Sequence, residues 1–371
     1  MNLLADIKYS LYKKKLVHEG QRKARNTKPM LMNEPIDFVV TWVNGSDPEW
    51  LSCKEKCQAG VKTEKDTDGE CRYRDWELFR YWFRAVEKYA PWVNNVYLVT
   101  YGHVPEWLNL NAPKLKFITH KDYIPEQYLP TFNCDPIELN LHRIKGLSEH
   151  FVYFNDDVFL NQPVVPEDFF RGGEPNYTAV ARPLINTAND AFTHMQFSAM
   201  AAVHSMVGNE VSKRIEAHPE KWFTKEYGEY YVRCNLCAFD QNYLPGMLFP
   251  HLGVAFKKSI MEKVWAKIPE QLHKTCLNKI RTPTDVFHQV FSTYAMLEGE
   301  FNPVSKEHHG RVFPAVPAEQ DNIIAAIVNG SCRAVCINDS ELLEKEDYLK
   351  MKELFRETFE KALPEKSQYE K

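Results

Sequence analysis

The chain contains no apolar run long enough to span a membrane. A bilayer needs about 20 consecutive, largely apolar residues. The longest stretch without Asp, Glu, Lys or Arg, residues 191–209, is broken by His194, Gln196, Ser198, His204 and Ser205. Its apolar residues Phe192, Met195, Ala199, Val203 and Met206 recur at helical spacing, which predicts an amphipathic helix on a core. No secretory leader is legible, because MNLLADIKYSLYKKK has no apolar segment ahead of its charges. A basic surplus is missing too. Lys plus Arg number 46 against 50 Asp plus Glu, and the net charge of -4 excludes a typical nucleic-acid binder. Nine cysteines cannot all pair with one another, and without a leader they are expected as reduced thiols in a cytosol. Cys234-x-x-Cys237 is half of a zinc-site pattern, but no second CxxC follows at finger spacing, so both are read as ordinary thiols. Neither G-x-G-x-x-G nor the Walker-type G-x-x-x-x-G-K-[ST] occurs.

What is present fits a globular protein with a large core: 44% of the 371 residues are hydrophobic. Residues 1–34 are polar and basic, and Leu4, Ile7 and Leu11 form one apolar stripe. This predicts a lead-in helix, either solvated or lying on an anionic membrane surface. Ile36–Val43 reads as a strand, stopped by the turn signal Asn44-Gly45-Ser46-Asp47-Pro48. Residues 52–74 are charged and read as a mobile loop. Asp75 is expected to cap a helix running to Tyr89, with Phe79, Phe83 and Val86 on its buried face. Further strands are expected at 95–100, 115–119, 150–154 and 177–181, with a helix over 136–147. The alternation predicts an α/β fold around a mostly parallel, Rossmann-like sheet. From about residue 186 the pattern turns helical, with helices at 190–208, 209–218, 257–266 and 284–298. The expected organisation is thus a lead-in helix over 1–34, one domain over 35–339 and a C-terminal helix with a charged tail over 340–371. That domain would have an α/β core over 35–185 and a helical part over 186–339.

Acidic residues gather at predicted strand ends. Asp47 lies just past the first strand, and Asp156 and Asp157 end the strand that starts at His150. Ligands of parallel α/β sheets bind outside the carboxyl ends of strands, so these carboxylates are expected to share a cleft. Adjacent aspartates suit Mg²⁺ or Mn²⁺ shared with a diphosphate; solvated turn residues are the plainer reading. His142, Arg143, His251 and Arg281 could supply what a diphosphate donor and an attacking hydroxyl need, namely positive charge and a base of near-neutral pKa; surface or structural roles are the plainer reading of each. His103, His120, His288, His308 and His309 are read as structural. In Cys336-Ile-Asn338-Asp339-Ser340, Asp339 or Ser340 would cap the last helix.

These motifs resemble the Stealth family. Ile36-Asp-Phe-Val-Val-Thr-Trp-Val-Asn-Gly-Ser-Asp-Pro48 resembles its first recurring block. The second block is matched by Arg72-Tyr-Arg-Asp75, Glu77, Arg80 through Glu87, Pro91-Trp92, Leu129-Pro-Thr-Phe-Asn133, Ile137-Glu138, His142-Arg143-Ile144 and Phe154-Asn-Asp-Asp157. Pro250-His251, Lys274-Thr275, Arg281 and Asp285 resemble the third block, and Val335-Cys-Ile-Asn-Asp339 the fourth. Cys134 and Asp135 depart from the Ser-Asn that many members carry there. The resemblance implies a nucleotide-sugar-transferase-like sheet and a UDP-sugar donor. It further implies a saccharide or polysaccharide acceptor, a divalent cation and a phosphodiester product. It implies catalytic roles for His251, Arg281, Asp37 and Asp47, and substrate contacts from Trp42, Asn44, Arg80, Asn133, Glu138, His142, Arg143 and Asn155. Metal ligation would fall to Asp156, Asp157, Asn338 and Asp339.

The expected reaction is transfer of a hexose-1-phosphate, of the N-acetylhexosamine type, from the UDP-sugar to a sugar hydroxyl in capsular or cell-surface polysaccharide. UMP would leave. The alternatives are a metal-dependent glycosyltransferase releasing UDP and a non-catalytic carbohydrate-binding scaffold of capsule assembly. The expected place is the cytoplasm, with contact at the inner membrane face or with an assembly complex.

Overall fold

A computed structural model describes residues 3–25, 30–58, 68–185 and 190–371. Its central sheet is built from β1 (Ile36–Thr41), β2 (Val96–Thr100), β3 (Leu115–Thr119), β4 (His150–Asn155) and β8 (Val254–Lys257), in the order β3-β2-β1-β4-β8. The first four are parallel and β8 runs antiparallel to β4. β1 and β2 are apolar, β-branched runs buried along nearly their whole length, as strands covered on both faces must be. Period-two alternation divides their side chains between two cores. Phe38, Val40, Leu98, Val152 and Phe154 face the helix Phe79–Tyr89 and the C-terminal helix Lys345–Ala362. Val39, Val99, Phe151 and Tyr153 face the helices Ala191–Val207, Lys258–Lys267 and Gln289–Glu298.

Two smaller sheets flank the centre. β5 (Val158–Leu160) follows β4 across the Asp156-Asp157 turn and pairs antiparallel with β11 (Ala334–Asn338), which pairs parallel with β10 (Arg311–Pro314). β6 (Phe170–Arg171), β7 (Glu174–Tyr177) and β9 (Asn302–Pro303) form the other. The half expected to be helical therefore supplies strands to all three sheets. Apolar runs of four or five residues are too short for period alone to separate strand from helix.

Several expectations change. The segment read as a mobile loop begins as the helix Pro48–Gln58; its residues 59–67 lie outside the described ones. Buried Lys54 pairs with Asp68 at 2.8 Å, tying that helix to the chain that follows. The helix expected to start after Asp75 begins at Phe79, and Asp75 Oδ1 instead accepts from Glu77 N. Over 136–147 there is only the short helix Cys134–Leu139 and a 3₁₀ turn at Leu141–Arg143. The charged tail is docked: Tyr369 is buried against Phe83, and Glu370 makes two hydrogen bonds with Arg84. The N-terminal helix Leu3–Arg25 is held by Lys13 and Tyr9 on Asp240 and leaves Ile7 and Leu11 exposed. Among the described helices none is long and apolar enough to cross a membrane.

Candidate functional site

Strand order reverses between β1 and β4: β2 and β3 follow β1 to one side, while β4 lies on the other. The carboxyl ends of two such strands diverge into a crevice, the usual ligand position in an open α/β sheet. β1 delivers Thr41, Trp42 and Asn44 there, and β4 delivers Asn155, Asp156 and Asp157. Gly45 lets the chain leave β1 against Tyr73, because an added Cβ would run into the Tyr73 carbonyl.

A continuous polar line crosses the crevice floor. Cys336 Sγ of β11 lies 3.6 Å from Asp157 Oδ2, which lies 3.3 Å from His251 Nε2. The same Nε2 is 3.2 Å from Asn155 Nδ2. Asn155 Oδ1 is 2.6 Å from Tyr153 Oη, which also meets Glu138 Oε1 at 2.9 Å and Thr41 Oγ1 at 3.0 Å. Glu138 Oε2 ends the line on His288 Nδ1 at 2.5 Å. His251 Nε2 thus has a partner in either state: bare, it accepts from the Asn155 amide; protonated, it donates to Asp157. Burial alone would lower the His251 pKa, but Asp157 and Glu138 outweigh it and raise the value above the ordinary one. Burial also opposes ionisation of Glu138, yet His288 and Arg281 hold its carboxyl below the usual range.

Arg281 enters beside this line, with Nη2 on Cys134 Sγ and Nε 3.9 Å from the buried carboxylate of Asp135. Its charge reaches both Glu138 and His251. The loop carrying it is pinned by Asp285, whose carboxylate accepts from Asn133 Nδ2, Asn278 Nδ2, Thr282 N and Thr282 Oγ1.

The carboxylates fit a hard divalent cation. Asp157 Oδ1 is buried and has no hydrogen-bond partner among the described residues. Crowding by protein, then the charges of Asp157 and Asp75, push the Asp156 pKa up to about 8. Asp156 can still be reached by solvent, so like-charge repulsion is the contribution that persists, and a cation would relieve it. Asp75 also lines an open groove of ≈ 790 Å³ bounded by Trp42, Asn44, Arg80, Trp107 and Arg356. Trp42 lies flat on Phe79, with ring centroids 5.8 Å apart, and the Arg80 guanidinium sits 5.8 Å above the Trp107 ring. Asp157, His251 and Arg281 are not among the groove's lining residues, but the charge of Asp75 in the groove reaches Asp156 beside the polar line.

Other expected site residues lie elsewhere or are already engaged. Asp37 sits at the amino end of β1, opposite the crevice. It is fully buried and accepts from Asn94 Nδ2, Asn95 N and Ser148 N. It is a joint between the amino ends of strands. Asp47 Oδ1 accepts from Trp50 N at 2.7 Å and caps the helix Pro48–Gln58. Asn133 caps the helix Cys134–Leu139 and spends its amide on Asn278 and Asp285. His142 is buried and Arg143 lies over Trp265 of the helix Lys258–Lys267; no described contact joins either to the polar line. Asp339 is gripped by Arg74 and Trp76, which leaves it poorly placed to bind a metal. Asn338 ends β11 next to the Asp157 backbone, and no contact of its carboxamide is described. The sequence singled out no role for Tyr153, and it presented Asp75 as a helix cap and His288 as structural. Tyr153 had a signal, since it lies two residues before Asn155 and shares its strand face.

Two family models match this chain: Stealth protein CR1, conserved region 1, over residues 34–60, and Stealth protein CR2, conserved region 2, over residues 72–177. The capsular polysaccharide phosphotransferase WcwK of Streptococcus pneumoniae is 41% identical over 339 residues, covering 91% of this chain and 99% of that protein. The chain belongs to the Stealth family of polysaccharide phosphotransferases. The exopolysaccharide phosphotransferase cps2G of Lactiplantibacillus plantarum is 37% identical over 91% of this chain and 96% of its own length. Among solved structures, the galactosyltransferase LgtC in complex with donor and acceptor sugar analogues aligns with a TM-score of 0.39 at 9% identity, covering 88% of this chain and 95% of that one. The Stealth CR2 match contains Asp75, Glu138, Tyr153 and Asn155 through Asp157, so most of the crevice floor comes from one conserved region. His251, Arg281 and Cys336 are brought to it from beyond that match.

Proposed function

We propose that the protein transfers a hexose-1-phosphate, of the N-acetylhexosamine type, from a UDP-sugar to a hydroxyl of a growing cell-surface polysaccharide. The carrying observation is His251 Nε2, set between an amide donor and a carboxylate at the switch-point crevice, beside the Asp156-Asp157 turn. The relatives' names, capsular and exopolysaccharide phosphotransferase, support the same class of reaction.

In this reading the acceptor oxygen bonds to the sugar-proximal phosphorus while its proton passes to His251 Nε2. The bond from that phosphorus to the bridging oxygen breaks, and UMP leaves with that oxygen. Asp157 stabilises the imidazolium that forms by accepting from the new Nε2–H. Arg281, whose guanidinium stays charged even when crowded by protein, offsets phosphate charge. Asp156 and Asp157 would hold Mg²⁺ or Mn²⁺, which when bound neutralises the diphosphate. The groove beside Trp42 and Arg80 suits the uridine end of the donor through stacking and cationic contact.

The test is chromatography of nucleotide products from a panel of UDP-sugars with oligosaccharide acceptors. UMP is expected. UDP as the sole nucleotide product would move the chemistry to the anomeric carbon and overturn the proposal.

A further inference from the structure

Three donor atoms of unlike chemistry converge at one end of the polar line. Asp157 Oδ2 comes from the β4–β5 turn, His251 Nε2 from the segment before β8, and Cys336 Sγ from β11. Nε2 and Oδ2 are 3.3 Å apart, Sγ and Oδ2 are 3.6 Å apart, and all three atoms lie within 4.8 Å of one another. A tetrahedral zinc ion with bonds of about 2.0 Å to N and O and about 2.3 Å to S needs N···O near 3.3 Å and S···O near 3.5 Å. The two measured spacings match those tetrahedral edges. The donor set is a thiol, an imidazole and a carboxylate, which favours a borderline-soft ion over Mg²⁺.

We propose that Asp157, His251 and Cys336 form a three-ligand site for zinc, leaving a fourth position to solvent, and that zinc there shuts off the transferase. Binding exchanges the Cys336 thiol proton, released to solvent, for a metal–sulfur bond. The site shares His251 and Asp157 with the reaction proposed above but does not depend on it; only the inhibition rests on that reading, because zinc would occupy the nitrogen that takes the acceptor's proton. It would also draw Asp157 away from Mg²⁺, so Mg²⁺ should weaken the apparent zinc affinity.

Cobalt(II) reports such a site without any substrate. Titrating the full chain with Co²⁺ should produce a thiolate-to-cobalt charge-transfer band in the near ultraviolet, saturating at one equivalent and erased by Zn²⁺. Cys336→Ser should lose the band while Cys53, Cys57, Cys234 and Cys237 remain. A band that survives in Cys336→Ser, or none in the parent protein, overturns the site. Should Cys336→Ser fail to fold by thermal melt, Asp157→Asn and His251→Gln carry the test. Each should weaken Co²⁺ binding by at least about 10-fold, the lower end of what even an outer-shell partner costs. Unchanged affinity in both overturns the site. Full turnover with Mg²⁺ at saturating Zn²⁺ overturns the inhibition. Absence of turnover with every donor would count against the proposed reaction, and the cobalt titration is unaffected by that outcome.

Discussion

Replacing His251 by alanine separates a chemical role from a structural one. The ring makes two described polar contacts, at 3.2 and 3.3 Å, both at the long end of hydrogen bonding, and its side chain is 38% exposed. Losing contacts of that kind should cost at most about 1 kcal/mol of stability. A chain of this length has an unfolding entropy of roughly 0.8 kcal/mol per degree, so the melting temperature should fall by only about 1 °C. A lost general base, by contrast, lowers kcat on the order of 10²–10⁴-fold. Donor affinity should change little, because the proton moves only in the transition state. The assay is therefore paired: calorimetric melting and donor binding beside turnover of the same preparation. A drop of several degrees with activity tracking the folded fraction would refute the base role, as would near-normal turnover in a stable variant.

Chelation of divalent ions should abolish turnover, with Mg²⁺ or Mn²⁺ restoring it, and folded Asp156→Ala should stay inactive at any Mg²⁺ concentration; activity in excess chelator would remove the ion from the reaction. Asp37→Ala should destabilise by about 1–3 kcal/mol for each buried donor it orphans, while kcat per folded molecule is preserved; a stable but inactive variant would return Asp37 to the site. Burial, aided by Arg143, pushes the His142 pKa down to about 3, and burial does the same to His120. The unfolded chain then binds more protons below pH 6.5, so this stability is present above that pH and is lost as pH falls toward 3. Between pH 7.5 and 5.5 each histidine should cost about 1.3 kcal/mol, and urea unfolding of His142→Gln should show a shallower pH slope than the parent; equal slopes would refute the assignment.

The sheet was legible because buried parallel strands are written as short apolar, β-branched runs, and the crevice was legible because turn signals follow them directly. Ile36–Thr41 and His150–Asn155 are both of this kind. β8 and β11 were harder: β8 is only four residues long, and no local pattern says which sheet a short apolar run will join. An aspartate before an apolar stretch has the same appearance whether it caps a helix or closes a turn two residues long, as Asp75 does.

By itself the sequence determined the α/β class, the family resemblance and the Asp156-Asp157 turn, since each rests on residues adjacent or regularly spaced along the chain. Which of the remaining polar residues act together was decided only by tertiary structure. Asp37 near the start of β1 and Asp157 just past the end of β4 are both strand-end carboxylates, yet one ends up knitted between strand amino ends and the other faces His251. His142 and His288 are both buried histidines, but only His288 meets Glu138. Asp339 was drawn off by Arg74, 265 residues away in the chain. Such partners are chosen by packing that closes long loops, and side-chain chemistry read one residue at a time carries no record of that choice.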